Sequence, residues 1–223
     1  MVKKLNQSQS SLFLDGEADA WFLRNQESIS LGTESFDVSY LCSTLNAYQD
    51  KISNILEIGC GGGAKLIALS NHFNAVGDGI DPSGIAIQSA KENTATSDIE
   101  LNFLTGLATN LPYEDNKFDL VFFGFCLYLV PPNEIYKAVA EADRVLRSGG
   151  FLAILDFDYG QMVVNRYKHA PGIFSYKNNY SQLFTSSGYF HQVSKWSYSH
   201  TSNTFTPDRD ERISIEVLYK EVI

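Results

Sequence analysis

Residues 54–66 read NILEIGCGGGAKL: an apolar run with a glutamate at position 57, then four glycines among residues 59–63. Glycine carries the largest backbone entropy cost of any residue, so such a cluster calls for a cause. A strand that ends in glycines and opens a helix holds backbone N–H groups and a helix N-terminus over a ligand. The expected cause is a nucleoside or phosphate filling the space of the missing side chains. Asp81, 24 residues beyond Glu57, ends the next apolar run. A carboxylate at that point accepts two hydrogen bonds from a ribose diol. Two fingerprints fit. G-x-G-x-x-G/A, met by Gly59, Gly61 and Ala64, suits a dinucleotide; E-x-G-x-G-x-G is met by Glu57, Gly59, Gly61 and Gly63.

The elements that position these residues follow from apolar periodicity. Residues 1–11 read as a frayed tail. From Asp15 to about Tyr48, ADAWFLRN and FDVSYLCSTLNAY carry helical spacing, a cap or lid over residues 1–48. Residues 49–223 then alternate. ISNILEI, AVGDGID, IELNFL, FDLVFFGF and FLAILDF read as buried strands. AKLIALSNHF, SGIAIQSAKEN (capped by Ser83) and NEIYKAVAEADRVLR (closed by Gly149 and Gly150) read as helices. That rhythm predicts an α/β fold: a Rossmann-like doubly wound sheet, mostly parallel, helices on both faces. YFHQVSKWSYSH and RISIEVLYK predict an antiparallel pair that completes it, and residues 159–187 read as an irregular, partly helical, substrate-side segment.

At the glycine turn the chain resembles the class I S-adenosylmethionine-dependent methyltransferases, whose first motif has the E-x-G-x-G-x-G shape. LATNLPYEDNKFDLVFFGFCLYLV is similar to the family's run from adenine loop through fourth strand, and EADRVLRSGGFLAILDF to its later helix, turn and fifth strand. The resemblance covers about residues 50–158. It implies S-adenosylmethionine as cofactor and S-adenosylhomocysteine as product. Gly59, Cys60, Gly61 and Gly63 would wrap the methionine and ribose, with Glu57 positioning the loop or reaching the amino group through water. Asp81, followed by Pro82, would hold the ribose hydroxyls. Gly106, Leu107 and Ala108 would flank the adenine, and Phe123, Gly124 and Phe125 would lie beside the sulfonium. Leu107 stands where the family frequently has an acid, so a backbone carbonyl or Asn110 would meet the adenine amine. DAWFLRN resembles an N-terminal segment of some bacterial small-molecule methyltransferases that folds over the cofactor. Trp21 would cover it and Asn25 would hydrogen-bond it, the two being one helical turn apart.

On the substrate side, NRYKHAPGIFSYKNNY gathers Tyr167, His169, Phe174, Tyr176 and Tyr180, rings suited to an apolar acceptor or a sulfonium. His169 is the candidate general base, because imidazole titrates near working pH. Asp156 and Asp158, at the end of the fifth strand, and Tyr128, after the fourth, are further candidates for handling an acceptor amine or hydroxyl.

The 223 residues carry 17 basic against 26 acidic side chains, a net charge of −9. That argues against nucleic acid, which needs clustered Lys and Arg. Three scattered cysteines suit neither a disulfide framework nor zinc. The polar start MVKKLNQSQSS and the lack of a long apolar run predict a cytoplasmic protein, monomer or homodimer, without membrane contact. The expected partner is a small-molecule methyl acceptor (sugar, lipid precursor or secondary metabolite), with O or N as the methylated atom. A protein or peptide methyltransferase, and a non-catalytic nucleoside-binding protein of the same fold, stand as alternatives.

Overall fold

The computed structural model describes residues 8–29, 35–94 and 98–222. Among the described residues nine strands form: β1 (Asn54–Ile58), β2 (Val76–Asp81), β3 (Leu101–Thr105), β4 (Phe118–Gly124), β5 (Leu146–Phe157), β6 (Val163–Arg166), β7 (Phe174–Lys177), β8 (Phe190–Ser199) and β9 (Arg212–Lys220). Seven of them make one sheet in the order β3-β2-β1-β4-β5-β9-β8, with β1 to β5 parallel and β9 antiparallel to both neighbours. The Rossmann-like, mostly parallel sheet is therefore the observed fold. Because β8 is antiparallel to β9, it runs the same way as β1–β5. Its end at Ser199 reaches the same edge as Phe157 at the end of β5.

The strands are apolar on both sides because both faces are covered. Ile55, Phe122, Ala153 and Leu155 pack on one face with α3 (Phe36–Leu45), α4 (Ala64–Phe73) and α5 (Gly84–Asn93). Leu56, Val121, Phe123, Leu152 and Ile154 pack on the other, with α6 (Ile135–Val145) and α7 (Ser181–Thr185). Consecutive strand residues alternate between the two cores, as a pleat requires. Ser83 caps α5, accepting the Ala86 N–H at 3.0 Å.

Three expectations are corrected. Gly149 and Gly150 do not close α6, which ends at Val145; they lie inside β5. There Phe118 and Leu120 of β4 pair with Leu146 and Phe151, so two steps on β4 face five on β5. Gly149 supplies φ +75° for the resulting bulge, and a Cβ on Gly150 would sit 2.9 Å from the Asp119 carbonyl. Within the segment expected to be irregular, β6 and β7 form an antiparallel hairpin sheet. Finally, residues 8–11 are not a frayed tail. Ser8 caps the short α1 (Gln9–Leu12), and a kink at Gly16 (φ +125°) leads into α2 (Ala18–Ile29). The amide of Gln9 donates to the carbonyls of Leu129 (2.7 Å) and Phe174 (2.8 Å) and accepts the Phe174 N–H (3.0 Å). Residues 1–7 of the expected tail and 30–34 of the expected cap lie outside the described residues.

Candidate cofactor and acceptor site

At the carboxyl edge of β1, β2 and β4 lies a cleft enclosing about 820 Å³, its open mouth included. Ile58, Gly59, Ile80, Asp81 and Pro82 form one wall; Gly106, Leu107, Ala108 and Thr109 follow β3; Gly124, Phe125 and Cys126 end β4. Phe13, Ala18 and Trp21 of the N-terminal helices close it from above. This is where ligands bind in open α/β sheets.

The glycines of the turn are needed, though for a different reason than expected. Gly59, Gly61 and Gly63 all have positive φ (+78°, +51° and +79°). A Cβ on Gly59 would stand 2.7 Å from the Cys126 Cβ, and one on Gly63 2.9 Å from the Phe103 ring. At those two positions the protein itself takes the space, and of the four loop residues assigned to the cofactor only Gly59 lines the cleft. Cys60 is buried, its thiol directed at the Gly61 carbonyl (3.7 Å), and burial pushes its pKa up. The Gly61 amide donates to Asp81 Oδ2 at 3.0 Å, while Asp81 Oδ1 accepts the Ser83 N–H at 2.8 Å. Asp81 thus ties the turn to the start of α5 and retains acceptor capacity toward the cleft it lines. Burial raises its pKa to about 6, against the two backbone bonds.

Glu57 lies beneath the turn, 1% exposed, with Oε2 buried and without a hydrogen-bond partner. Burial raises its pKa to about 8, opposed by Lys65. Gly124 is required above it, since a Cβ there would stand 2.6 Å from Glu57 Oε1. On the β3 side, the Leu107 carbonyl accepts the Asn110 N–H at 3.2 Å, and Thr109, unlike Asn110, faces the cleft.

Alternation along β4 separates the residues assigned to the sulfonium. Gly124 and Phe125 line the cleft, but Phe123 is fully buried, packed on Phe184 of α7. Phe125 has φ +63°, rare for a bulky side chain and costly to hold. Its N–H donates to the Leu155 carbonyl (3.0 Å). The ring centroid lies 5.3 Å from Tyr128, 5.1 Å from Phe157 and 5.3 Å from His200.

The acid–base candidates fare differently. His169 is exposed in the loop of the β6–β7 hairpin, beside Tyr167, and does not line the cleft. Asp156 is 2% exposed and holds backbone: its oxygens accept the N–H groups of Phe157 (2.8 Å) and Tyr128 (3.2 Å). Burial raises its pKa to about 7, opposed by those bonds. Tyr128 is buried against Phe125 and Phe157, and burial beside Asp156 drives its hydroxyl far above its usual range. The Trp21 indole, at the roof of the cleft, lies on the side of this hydroxyl. Asp158 is committed to Lys195, Ser197 and Arg212. Asn25 does not line the cleft, and its amide donates to the Trp21 carbonyl at 2.7 Å. Tyr167 accepts from Arg24 at 3.1 Å.

Sequence reasoning missed His200, Lys177 and the latch at Asp19. Asp19 Oδ1 accepts the Ser83 hydroxyl (2.6 Å) and the Ile85 N–H (3.1 Å), joining α2 to the turn beyond Asp81. The D of DAWFLRN was in view as part of the covering helix, but nothing in its spacing marks a partner 64 residues away. Among the described residues there is no metal-binding cluster, and no helix is long and apolar enough to cross a membrane.

Residues 55–150 match a family model described as a methyltransferase domain. A demethylmenaquinone methyltransferase of Staphylococcus aureus (strain MRSA252) is 39% identical over 103 residues, 45% of this chain and 42% of that protein. The chain therefore matches less than half the length of that curated relative. Among solved structures, a 1,6-didemethyltoxoflavin-N1-methyltransferase of Burkholderia thailandensis superposes with a TM-score of 0.72 at 13% identity, over 98% of this chain and 93% of that one. It was solved with its substrate and S-adenosylhomocysteine bound. The cyclase SpnF superposes at 0.69 with 17% identity, over 97% and 98%. Identities that low establish the fold alone. Over residues 55–150 the chain is thus similar to a methyltransferase domain, and its sheet has the fold of the solved structures on which it superposes.

Proposed function

We propose that the protein transfers a methyl group from S-adenosylmethionine to an O or N atom of a small molecule. The observation that carries this reading is the cleft itself, which runs from the Asp81 carboxylate past Leu107 and Ala108 to Phe125 beneath an apolar roof. The cofactor fits on two independent grounds. Asp81 keeps acceptor capacity for a ribose diol, and the orphaned Glu57 Oε2 lacks the donor that a bound amino group, or a water beside it, supplies. Leu107, Ala108, Thr109 and Pro82 supply a shallow apolar seat for the adenine. When bound, the cofactor supplies an activated methyl on sulfur, so the protein's work is alignment and exclusion of water. Phe125, which lines the cleft, would adjoin that centre, and Phe13, Ala18 and Trp21 would keep solvent out.

The roof favours a small acceptor over a peptide, because a polypeptide needs an open groove. The two compounds named for the methyltransferase relatives, a demethylated menaquinone and a demethylated toxoflavin, are both small molecules. Calorimetric titration with S-adenosylmethionine, S-adenosylhomocysteine and NAD tests the reading. Heat is expected from the first two, and a response to NAD alone on well-folded protein would overturn it.

A further inference from the structure

Beyond Phe125, on the side away from Asp81, the sheet edge carries a group of rings that the cofactor reading does not use. Phe157 ends β5 and stacks at 5.1 Å on Phe125, and the His200 ring lies 5.3 Å from Phe125 and 6.4 Å from Phe157. Three strand ends, of β4, β5 and β8, deliver these rings to one place. Over the Phe157 face stands the Lys177 Nζ, 3.8 Å from the ring centroid. Lys177 is half-buried on β7 and, among the described residues, makes no hydrogen bond or ion pair. That is unusual in a chain with an excess of carboxylates.

Asp210, Glu211, Asp156 and Asp208 act on this ammonium from a distance, and several acids around it are engaged elsewhere. Asp158 is held by Lys195 and Arg212, Asp210 accepts the Tyr159 hydroxyl, and Asp156 is bound by backbone N–H groups. Burial lowers the Lys177 pKa, against the pull of Asp210 and Glu211. An ammonium resting on a ring in a partly dry place, with carboxylates near but none bonded to it, has unspent donor capacity for an anion. Phe125 belongs both to this wall and to the cofactor cleft, so a group held here adjoins the methyl donor.

We propose that Phe125, Phe157 and His200, with the Lys177 ammonium over them, form the acceptor subsite, and that it takes a flat conjugated ring carrying an anionic oxygen. The proposal rests on the methyltransferase reading and narrows its substrate class. The rings offer stacking area, Lys177 pairs with the oxygen, and His200 at the open rim contacts the ring edge.

The test uses the full chain saturated with S-adenosylhomocysteine, titrated near neutral pH with three probes: 1-hydroxy-2-naphthoate, cyclohexanecarboxylate and 1-naphthylmethylammonium. The naphthoate is expected to bind best. Lys177→Met is expected to weaken it by about tenfold or more, as loss of a charge-assisted contact requires, and Lys177→Arg to restore most of that loss. S-adenosylhomocysteine affinity should be the same in all three proteins. Equal naphthoate binding by Lys177→Met, tighter binding of the ammonium probe, or no binding of any probe overturns the subsite. Absence of heat with S-adenosylhomocysteine, read before any probe is added, instead overturns the methyltransferase reading.

Discussion

Replacing Glu57 with Gln should make the empty protein more stable at neutral pH while loosening its grip on the cofactor. The carboxyl is 1% exposed and its pKa is raised by burial from 4.5 to about 8. A carboxyl that holds its proton more tightly when folded favours folding at low pH. Its contribution is fully present below 4.5 and is lost as pH rises toward 8, at about 1.4 kcal/mol per pH unit. Between about pH 5 and pH 7 the wild type should therefore lose about 3 kcal/mol through this group alone. Gln has nearly the same shape and does not titrate. Asp81 and Asp156, with pKa values raised to about 6 and about 7, titrate in both proteins, so their effects cancel in the difference. Urea unfolding at the two pH values reads the outcome: the stability of Glu57→Gln relative to wild type should grow by about 3 kcal/mol from the lower pH to the higher. A difference that does not change with pH would refute the claim that Glu57 is protonated in the empty protein. In the same variant S-adenosylmethionine affinity should fall by about 1.5–3 kcal/mol, the usual worth of a hydrogen bond to a charged group.

Other outcomes follow from single residues. Asp81→Asn should weaken S-adenosylhomocysteine binding by about 1–3 kcal/mol. Because burial raises the Asp81 pKa to about 6, wild-type affinity should also decline as pH falls through that value, measurable by calorimetry across the range. Gly59→Ala, which forces a side chain onto φ +78° and toward Cys126, should lower stability by about 1–3 kcal/mol, seen as a shifted urea midpoint. Gln9→Ala removes the acceptor of the half-buried Phe174 N–H and should cost about 1–2 kcal/mol; an unchanged midpoint would mean the strap is not held there. His169→Ala should leave turnover with the eventual acceptor unchanged, since the ring is exposed and apart from the cleft.

The sheet was legible because its pattern is local. Runs such as NILEI and FDLVFFG are apolar on both sides, and only a strand covered by helices on both faces needs that. What escaped depends on long-range pairing. His200 lies after a segment that alternates like any edge strand. Its value comes from β8 returning beside β9 and so pointing its end at the ligand edge, a consequence of strand order that no spacing in YFHQVSKWSYSH announces. Gln9 looked like part of a polar tail because its three hydrogen-bond contacts are with backbone more than a hundred residues away. Phe123 and Phe125 were grouped as neighbours. The pleat and a positive φ separate them, one into the core and one into the cleft.

The glycine turn shows how a correct motif can carry a mistaken cause. The cluster at 59–63 was expected to make room for a ligand, yet the nearest obstacles to a Cβ at Gly59 and Gly63 are Cys126 and Phe103. Those contacts seat the turn deeply enough for the Gly61 amide to reach Asp81, and Asp81 in turn lines the cleft. On the proposed reading the glycines would act on the cofactor at one remove, by fixing the carboxylate that lines its cleft. A substitution at Gly63 should then disturb stability and cofactor affinity together, whereas one at Asp81 should move affinity with little loss of fold. If Gly63→Ala lowered affinity while leaving the unfolding midpoint in place, the glycine would be touching the ligand directly and the packing account would fail.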